Sequence, residues 1–394
     1  MTNPAYRTNI AGTNTPIDVD DLLVLKSNFF PGNGYSWGNG SYGALGLGIT
    51  TSYSSPMMIS STAYWKQISA GNQYCVAVKT DGTTWSWGLN TYGQLGTNNI
   101  NNYSNPIQIF SSNSDIIKKV ITHPNSNHVL ALAQGSNSAY AWGLNNYGQL
   151  GNGTLTNSST PIALGNIDWA NLSCGESYSA GLDTSGNIYS WGWGAYGQLA
   201  LASNVDYSTP QQIGTPSNTW RSITCGRLHT MAIDSSGTLW GCGYNGDYEL
   251  GLGNNNTGPN SFTQISAYND WQQIYCGDVF NVGIRANGTI WSWGSDGASS
   301  LPKYGNLGQN DTLPRSVPTQ IGTMTNWAFV SGGRGMVAAI KTDGTLWVWG
   351  NNSNGQLGLG DTTNRSSPVQ VGSLNNWKAV SAGTMIMAGQ LYSQ

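Results

Sequence analysis

The sequence predicts an all-β fold: a seven-bladed β-propeller of four-stranded antiparallel blades, with the last blade closed by N- and C-terminal strands. Three observations predict it. A glycine-rich motif recurs seven times at steps of 50, 55, 49, 51, 51 and 56 residues. Each unit breaks into four short apolar pieces separated by turn signals. The two chain ends each supply half a unit. A period near fifty is the range of propellers and other arrays.

The copies read YSWGNGSYGALG (35–46), WSWGLNTYGQLG (85–96), YAWGLNNYGQLG (140–151), YSWGWGAYGQLA (189–200), WGCGYNGDYELG (240–251), WSWGSDGASSLPKYGNLG (291–308) and WVWGNNSNGQLG (347–358). The motif tryptophans are Trp37, Trp87, Trp142, Trp191, Trp293 and Trp349, with Cys242 in the remaining slot. In one complete unit, WKQISAG (65–71) is a first strand. YCVAVKTDG (74–82) is a second, ending in an Asp-Gly hairpin signal. TTWSWG (83–88) is a third, and PIQI (106–109) is a fourth whose proline suits an edge. The pieces are too short and too β-branched or aromatic for helices.

In the third strand two rings sit two residues apart, so both project from one face. Large flat rings suit the space between blades, and the glycines suit a loop that carries the chain outward. The C-terminal pieces WKAVSAG (377–383) and MIMAGQLYSQ (385–394) are strands one and two of a unit, whereas the N-terminal copy begins at strand three. Their union closes the ring without leaving an open edge. The expected organisation is an N-terminal arm over 1–33 and a propeller over 34–394. The arm matches no repeat. It carries acids and then the apolar run Leu22, Leu23, Val24 and Leu25. It reads as a tail that packs on the ring or as an attachment segment for another subunit.

Of the 394 residues only 8% are charged, and the net charge is −3. That offers no overall electrostatic footprint for nucleic acid or an anionic membrane. No segment approaches the length of an apolar membrane span, and the first residues lack the pattern of a signal peptide. Cys174, Cys225 and Cys276 share a column held elsewhere by Ala70, Gly332 and Ala382, which marks a small packing position rather than a metal ligand. His128 and His229 share a column with Tyr74, Tyr178, Phe280, Met336 and Ile386, so packing explains them too. His123 falls in the irregular stretch THPNSN (122–127). No nucleophile–base–acid set and no phosphate loop emerges. The reading is non-enzymatic, without cofactor or metal.

The repeat resembles that of the regulator of chromosome condensation family. The matching pieces are WG, GQLG, the following P-x-x-[IV], the [SC]-[AC]-G glycine and the DG turn. The resemblance covers residues 34–394. It implies a seven-bladed propeller with the same split-blade closure, and a family whose members include nucleotide-exchange factors, chromatin binders and inhibitors of bacterial enzymes.

Departures from the repeat point to a binding face, because insertions in such folds map to loops on one side. The gap from Trp293 to Pro318 is 25 residues, against 19 in five other copies. This loop holds Asp296, Lys303, Tyr304 and Arg315. Trp193 is the one tryptophan outside the repeat columns, and Tyr92, Tyr147 and Tyr196 recur in the loops, as does Tyr42. Exposed Tyr and Trp are typical interface anchors. The expectation is a binding or structural protein whose loops meet a protein, a glycan or a host-surface receptor. An Asn/Ser/Thr/Gly-rich, lysine-poor chain suggests a phage virion component, a tail fibre or capsid decoration, found in the virion or outside cells without a signal peptide. The alternatives are a cytoplasmic GTPase- or chromatin-regulator-like propeller and a secreted enzyme inhibitor.

Overall fold

In the computed structural model, which describes residues 32–60, 64–110, 116–214, 219–297 and 303–391, the chain forms seven four-stranded antiparallel sheets. Leu22, Leu23, Val24 and Leu25 lie outside the described residues. Blades 1 to 6 run in chain order over 65–110, 117–163, 169–212, 220–264, 271–320 and 327–370. Blade 7 joins Trp377–Ala382 and Ile386–Leu391 to Gly34–Gly38 and Tyr53–Met58. The seam is a full ladder, with Tyr35 opposite Gly389 and Trp37 opposite Met387. The split-blade closure expected from the sequence is therefore present.

First strands of neighbouring blades touch one another around the axis. Fourth strands are outermost, and Pro56, Pro106, Pro161, Pro210, Pro318 and Pro368 sit in them, where a missing N–H does no harm. Because strands alternate in direction, the turn between strands one and two and the long loop between three and four share one face. The Asp-Gly turns lie on the other.

Apolar burial is organised between blades. Seven core clusters occur among the described residues, one at each blade interface. The second ring of the third strand is fully buried in every blade that has one, while the first ring is half-buried. In every blade but blade 2, where Ile117 holds the position, the third-strand rings face a first-strand tryptophan, as in Trp271 with Trp291 at 6.3 Å and Trp293 at 5.7 Å. Mostly edge-on ring contacts of this kind add to plain area burial.

One hydrogen bond repeats around the ring. The buried indole N–H donates to a backbone carbonyl in the glycine loop of the preceding blade: Trp87 to Ala44, Trp142 to Gln94, Trp191 to Gln149, Trp293 to Glu249, Trp349 to Asn306, and Trp37 to Gln356 across the seam, all at 2.9–3.0 Å. The loop glycine two residues further on lies flat against the same ring. A Cβ at Gly151 would sit 2.7 Å from Trp191 Nε1, and one at Gly358 2.7 Å from Trp37 Nε1. Cys242, in the one copy without the indole, points its thiol at Gln198 O from 3.7 Å. Facing it, the glycine column holds Ala200, at φ +57°. The methyl fills part of the space the ring vacates.

This pairing predicts a specific non-additivity. Cys242→Trp alone should destabilise the fold by about 1–3 kcal/mol through overpacking against Ala200. Adding Ala200→Gly should recover most of that loss. Urea denaturation of the two single variants and the double variant measures the coupling; simple additivity would show that the two positions do not share this space.

Candidate functional site

The loop face is built by a buried scaffold. In most copies an asparagine three residues after the motif Trp or Cys organises the loop. Asn145 Oδ1 accepts the Leu150 N–H at 2.9 Å, and its Nδ2 donates to Thr154 O and Thr156 O. Asn90, Asn245 and Asn352 do the same work. The GQLG glutamine accepts the N–H two residues before it, as Gln149 does from Tyr147 at 2.9 Å. With the loop braced from below, the residue at the Tyr147 position is forced outward. Tyr42, Tyr92, Tyr147 and Tyr196 are exposed there.

Three of the sequence-predicted site residues meet. Tyr147 stacks on Trp193 with centroids 5.1 Å apart, and Trp193 meets Tyr196 edge-on at 5.4 Å. Tyr196 in turn meets Tyr244 at 5.4 Å. The result is a continuous ridge of rings across blades 2, 3 and 4. Tyr92 stands on the neighbouring blade 1 loop. The long blade 5 loop divides differently. Lys303 is exposed and Tyr304 is half-buried beside the turn at Gly335. Asp296 is fully buried, accepting the Gly305 and Asn306 N–H groups at 2.8 and 2.7 Å. It occupies the column of Asn90 and Asn145 and braces its loop as they do. Arg315 pairs with Asp311 at 2.7 Å, as Arg365 pairs with Asp361 at 2.6 Å in the next blade, so it too braces a loop.

Nearer the axis, the turns between strands one and two carry Glu176, Arg227, Asp278 and Arg334 in four consecutive blades. They form a chain of ion pairs: Arg227 with Glu176 at 3.0 Å and with Asp278 at 3.5 Å, and Arg334 with Asp278 at 3.5 Å. Blade 2 has a turn two residues longer here. It reaches over the axis, where Asn125 Nδ2 donates to Asp278 Oδ1 at 2.9 Å and Thr384 Oγ1 donates to Pro124 O. His123 is thus a loop residue, yet a buried one. Sequence reading missed the ion-pair chain and Tyr244. The signal was available as alternating charge in one repeat column.

The reactive side chains are packing groups. Burial lowers His123 and His128 to a pKa of about 3 and His229 to about 4. His128 Nε2 meets Ser179 Oγ at 2.9 Å and His229 Nε2 meets Asn281 Oδ1 at 2.8 Å, each reaching the next blade. Burial raises the thiol of Cys225 to about 12 and those of Cys75, Cys174, Cys242 and Cys276 well above their usual range. Among the described residues no group of three His, Cys, Asp or Glu could hold a metal ion. None of their helices is long and apolar enough to cross a membrane.

Residues 30–269, more than half of the chain, match the family model described as the RCC1-like domain. The chain belongs to this family. Models of the regulator of chromosome condensation (RCC1) repeat also match 343–388 and 328–356. The mitochondrial RCC1 domain-containing protein RUG3 of Arabidopsis thaliana is 34% identical over 134 residues, covering 33% of this chain and 28% of that protein. The ultraviolet-B receptor UVR8 of the same plant is 29% identical over 292 residues, covering 72% of this chain and 64% of the receptor. These matches span less than two thirds of either relative. The crystal structure of Prp20p from Saccharomyces cerevisiae superposes with a TM-score of 0.81 at 18% identity, over 97% of each chain, a likeness of fold. The histidines and thiols of this RCC1-type propeller are buried and held neutral at blade interfaces.

Glu249 stands in the loop column that Gln94, Gln149, Gln198 and Gln356 fill in other RCC1-type units of the chain. It accepts the Asp247 N–H at 2.9 Å in the same way. Its side chain is buried, which raises its pKa from 4.5 to about 8, with Asp247 and Asp278 adding to the effect. A protonated carboxyl mimics the amide. The folded pKa lies above the unfolded one, so this stabilising state is fully present below pH 4.5 and is lost as pH rises through about 8. Glu249→Gln should therefore match the wild type near pH 4 and exceed it at pH 8–9, by on the order of 3 kcal/mol. Parallel stability profiles for the two proteins across that range would contradict it.

Proposed function

We propose that this RCC1-like propeller is a non-enzymatic binding protein whose loop face docks a protein partner, with the ridge of Tyr147, Trp193, Tyr196 and Tyr244 as its anchor. The observation that carries the reading is the concentration of exposed apolar surface on that face. Tyr42, Ile49, Tyr92, Ile100, Tyr147, Leu155, Tyr196, Val205 and Leu313 are all exposed in five of the seven long loops. Clusters of this kind mark interaction sites. The loop composition, Tyr and Trp among Ser, Gly and Asn, is that of surfaces that bind proteins through rigid aromatic anchors and adaptable polar groups. Lys303 and Tyr304 extend the surface toward blade 5, while Asp296 and Arg315 support it from within.

Among the roles such a face can serve, a regulator-like one is favoured over a virion component or a secreted inhibitor. The relatives that the chain matches include a receptor, UVR8, and Prp20p, a protein of like fold, is described with binding to Gsp1p and histones. The virion reading rests on composition alone. Since the chain has few charges and the ion pairs near the axis largely cancel, affinity here comes from ring burial and not from electrostatic steering.

Affinity capture with the full chain tests the assignment. Trp193→Ala combined with Tyr196→Ala should reduce recovery of the partner at least about tenfold, the effect of losing interface anchors. Asp81→Asn with Asp343→Asn, on the Asp-Gly turn face, should leave it unchanged. Loss in the second variant and retention in the first would assign binding to the opposite face.

A further inference from the structure

The connection from the fourth strand of one blade to the first strand of the next has one length at three consecutive interfaces, so the chain supplies its own comparison. It runs from Ile265 to Trp271, from Ile321 to Trp327 and from Val371 to Trp377. Ser266, Gly322 and Gly372 are then equivalent, as are Tyr268, Met324 and Leu374. Opposite the three tryptophans, in the second strands, stand Arg285, Lys341 and Leu391.

The first two of these interfaces are covered. Between blades 4 and 5 the Tyr268 ring packs on Trp291 with centroids 5.6 Å apart, and Arg285 Cζ lies 3.7 Å from the Tyr268 centroid. Trp271 Nε1 donates to Ser266 Oγ at 3.1 Å. Between blades 5 and 6, Met324 packs against the cluster that holds Trp327, and Lys341 Nζ lies 3.6 Å from the Trp347 centroid. Between blades 6 and 7 these covers are lost. Leu374 is exposed and is not among the side chains packed on the cluster of Trp377 and Leu391. Leu391 brings no cation, and Gly372 brings no hydroxyl. Trp377 Nε1 is buried and has no hydrogen-bond partner among the described residues.

A cleft of about 430 Å³ opens at that place, lined by Tyr35, Pro56, Leu359, Val371, Leu374 and Trp377, with Gly372 in its wall. Its volume falls within the range of small-molecule sites. Tyr35 is the counterpart of Trp291, since each stands opposite a second-strand glycine, Gly389 and Gly283. The ring that Tyr268 lays on Trp291 therefore has no equivalent over Tyr35. We propose that the cleft between blades 6 and 7 binds a small planar aromatic molecule that carries a hydrogen-bond acceptor. Its ring packs on Tyr35 as Tyr268 packs on Trp291, and its acceptor takes the Trp377 indole N–H as Ser266 takes that of Trp271. The lining holds no charged side chain, so the ligand is neutral, because an unpaired charge there would be costly to bury. The site is separate from the ridge of rings on blades 2, 3 and 4.

Titration of the full chain with quinoline, followed through the indole N–H signals by NMR, tests this. The Trp377 signal should move saturably, while that of Trp271, whose N–H is already engaged, should stay. Naphthalene has the same shape without the ring nitrogen and should bind about fivefold more weakly, the effect of one lost hydrogen bond. Leu374→Tyr supplies from within the ring that the preceding interface between blades 4 and 5 already has. It should weaken quinoline binding at least about tenfold by filling the cleft, with thermal stability equal to or above that of wild type. An unmoved Trp377 signal, equal affinity of the wild type for the two probes, or unchanged quinoline binding in the Leu374→Tyr protein would each overturn the proposal.

Discussion

The interaction on which the structure depends is the indole-to-carbonyl bond between successive blades. A four-stranded sheet has two apolar faces and cannot stand alone. In this chain six of the seven interfaces are sealed by a buried ring whose single polar atom gains a bond from an acceptor, since leaving that N–H unsatisfied costs about as much as the bond gains, and Cys242 takes the ring's place at the seventh. The glycine loop of the preceding blade supplies that acceptor at a fixed point. Hydrophobic contact alone would allow blades to slide over one another; the bond fixes their offset and hence the rotation per blade. Repeating that rotation seven times brings Trp37 back to Gln356, and the ring closes on the same contact that builds it.

The same bond explains why the binding face is rigid. The loop that offers its carbonyl to the next blade is held from below by its own asparagine and glutamine. Its outer residues then have nowhere to go but solvent. Tyr147 and Tyr196 stand proud because Gln149 and Gln198 occupy the interior. Pre-ordered rings lose less entropy on binding a partner than rings on a free loop. Fold and proposed function are thus linked through one loop per blade.

Much of this was legible in the sequence. The period, the strand identities, the Asp-Gly turns and the split blade follow from columns and from where the chain ends fall within the unit. The packing roles of His128, His229 and the Cys174 column also follow, because those columns accept apolar residues. What the columns do not display is which residue of one unit touches which of the next. The Trp191–Gln149 bond joins positions 42 residues apart, and nothing local marks it. The coupled departures Ala200 and Cys242 were visible separately, but their shared space was not. Asp296 was read as a surface charge of an unusual loop; aligned on its motif tryptophan it falls in the asparagine column, and burial follows. The alternation Glu176, Arg227, Asp278, Arg334 becomes ion pairing only once the four turns are brought side by side around the axis.

The most direct test of the latch is hydrogen exchange of the indole N–H groups followed by NMR. Six of them, from Trp37, Trp87, Trp142, Trp191, Trp293 and Trp349, should exchange with water orders of magnitude more slowly than that of Trp193 on the loop face. Exchange of these six at the rate of Trp193 would mean that the blades are not held by these bonds, and the account of how the ring closes would fail.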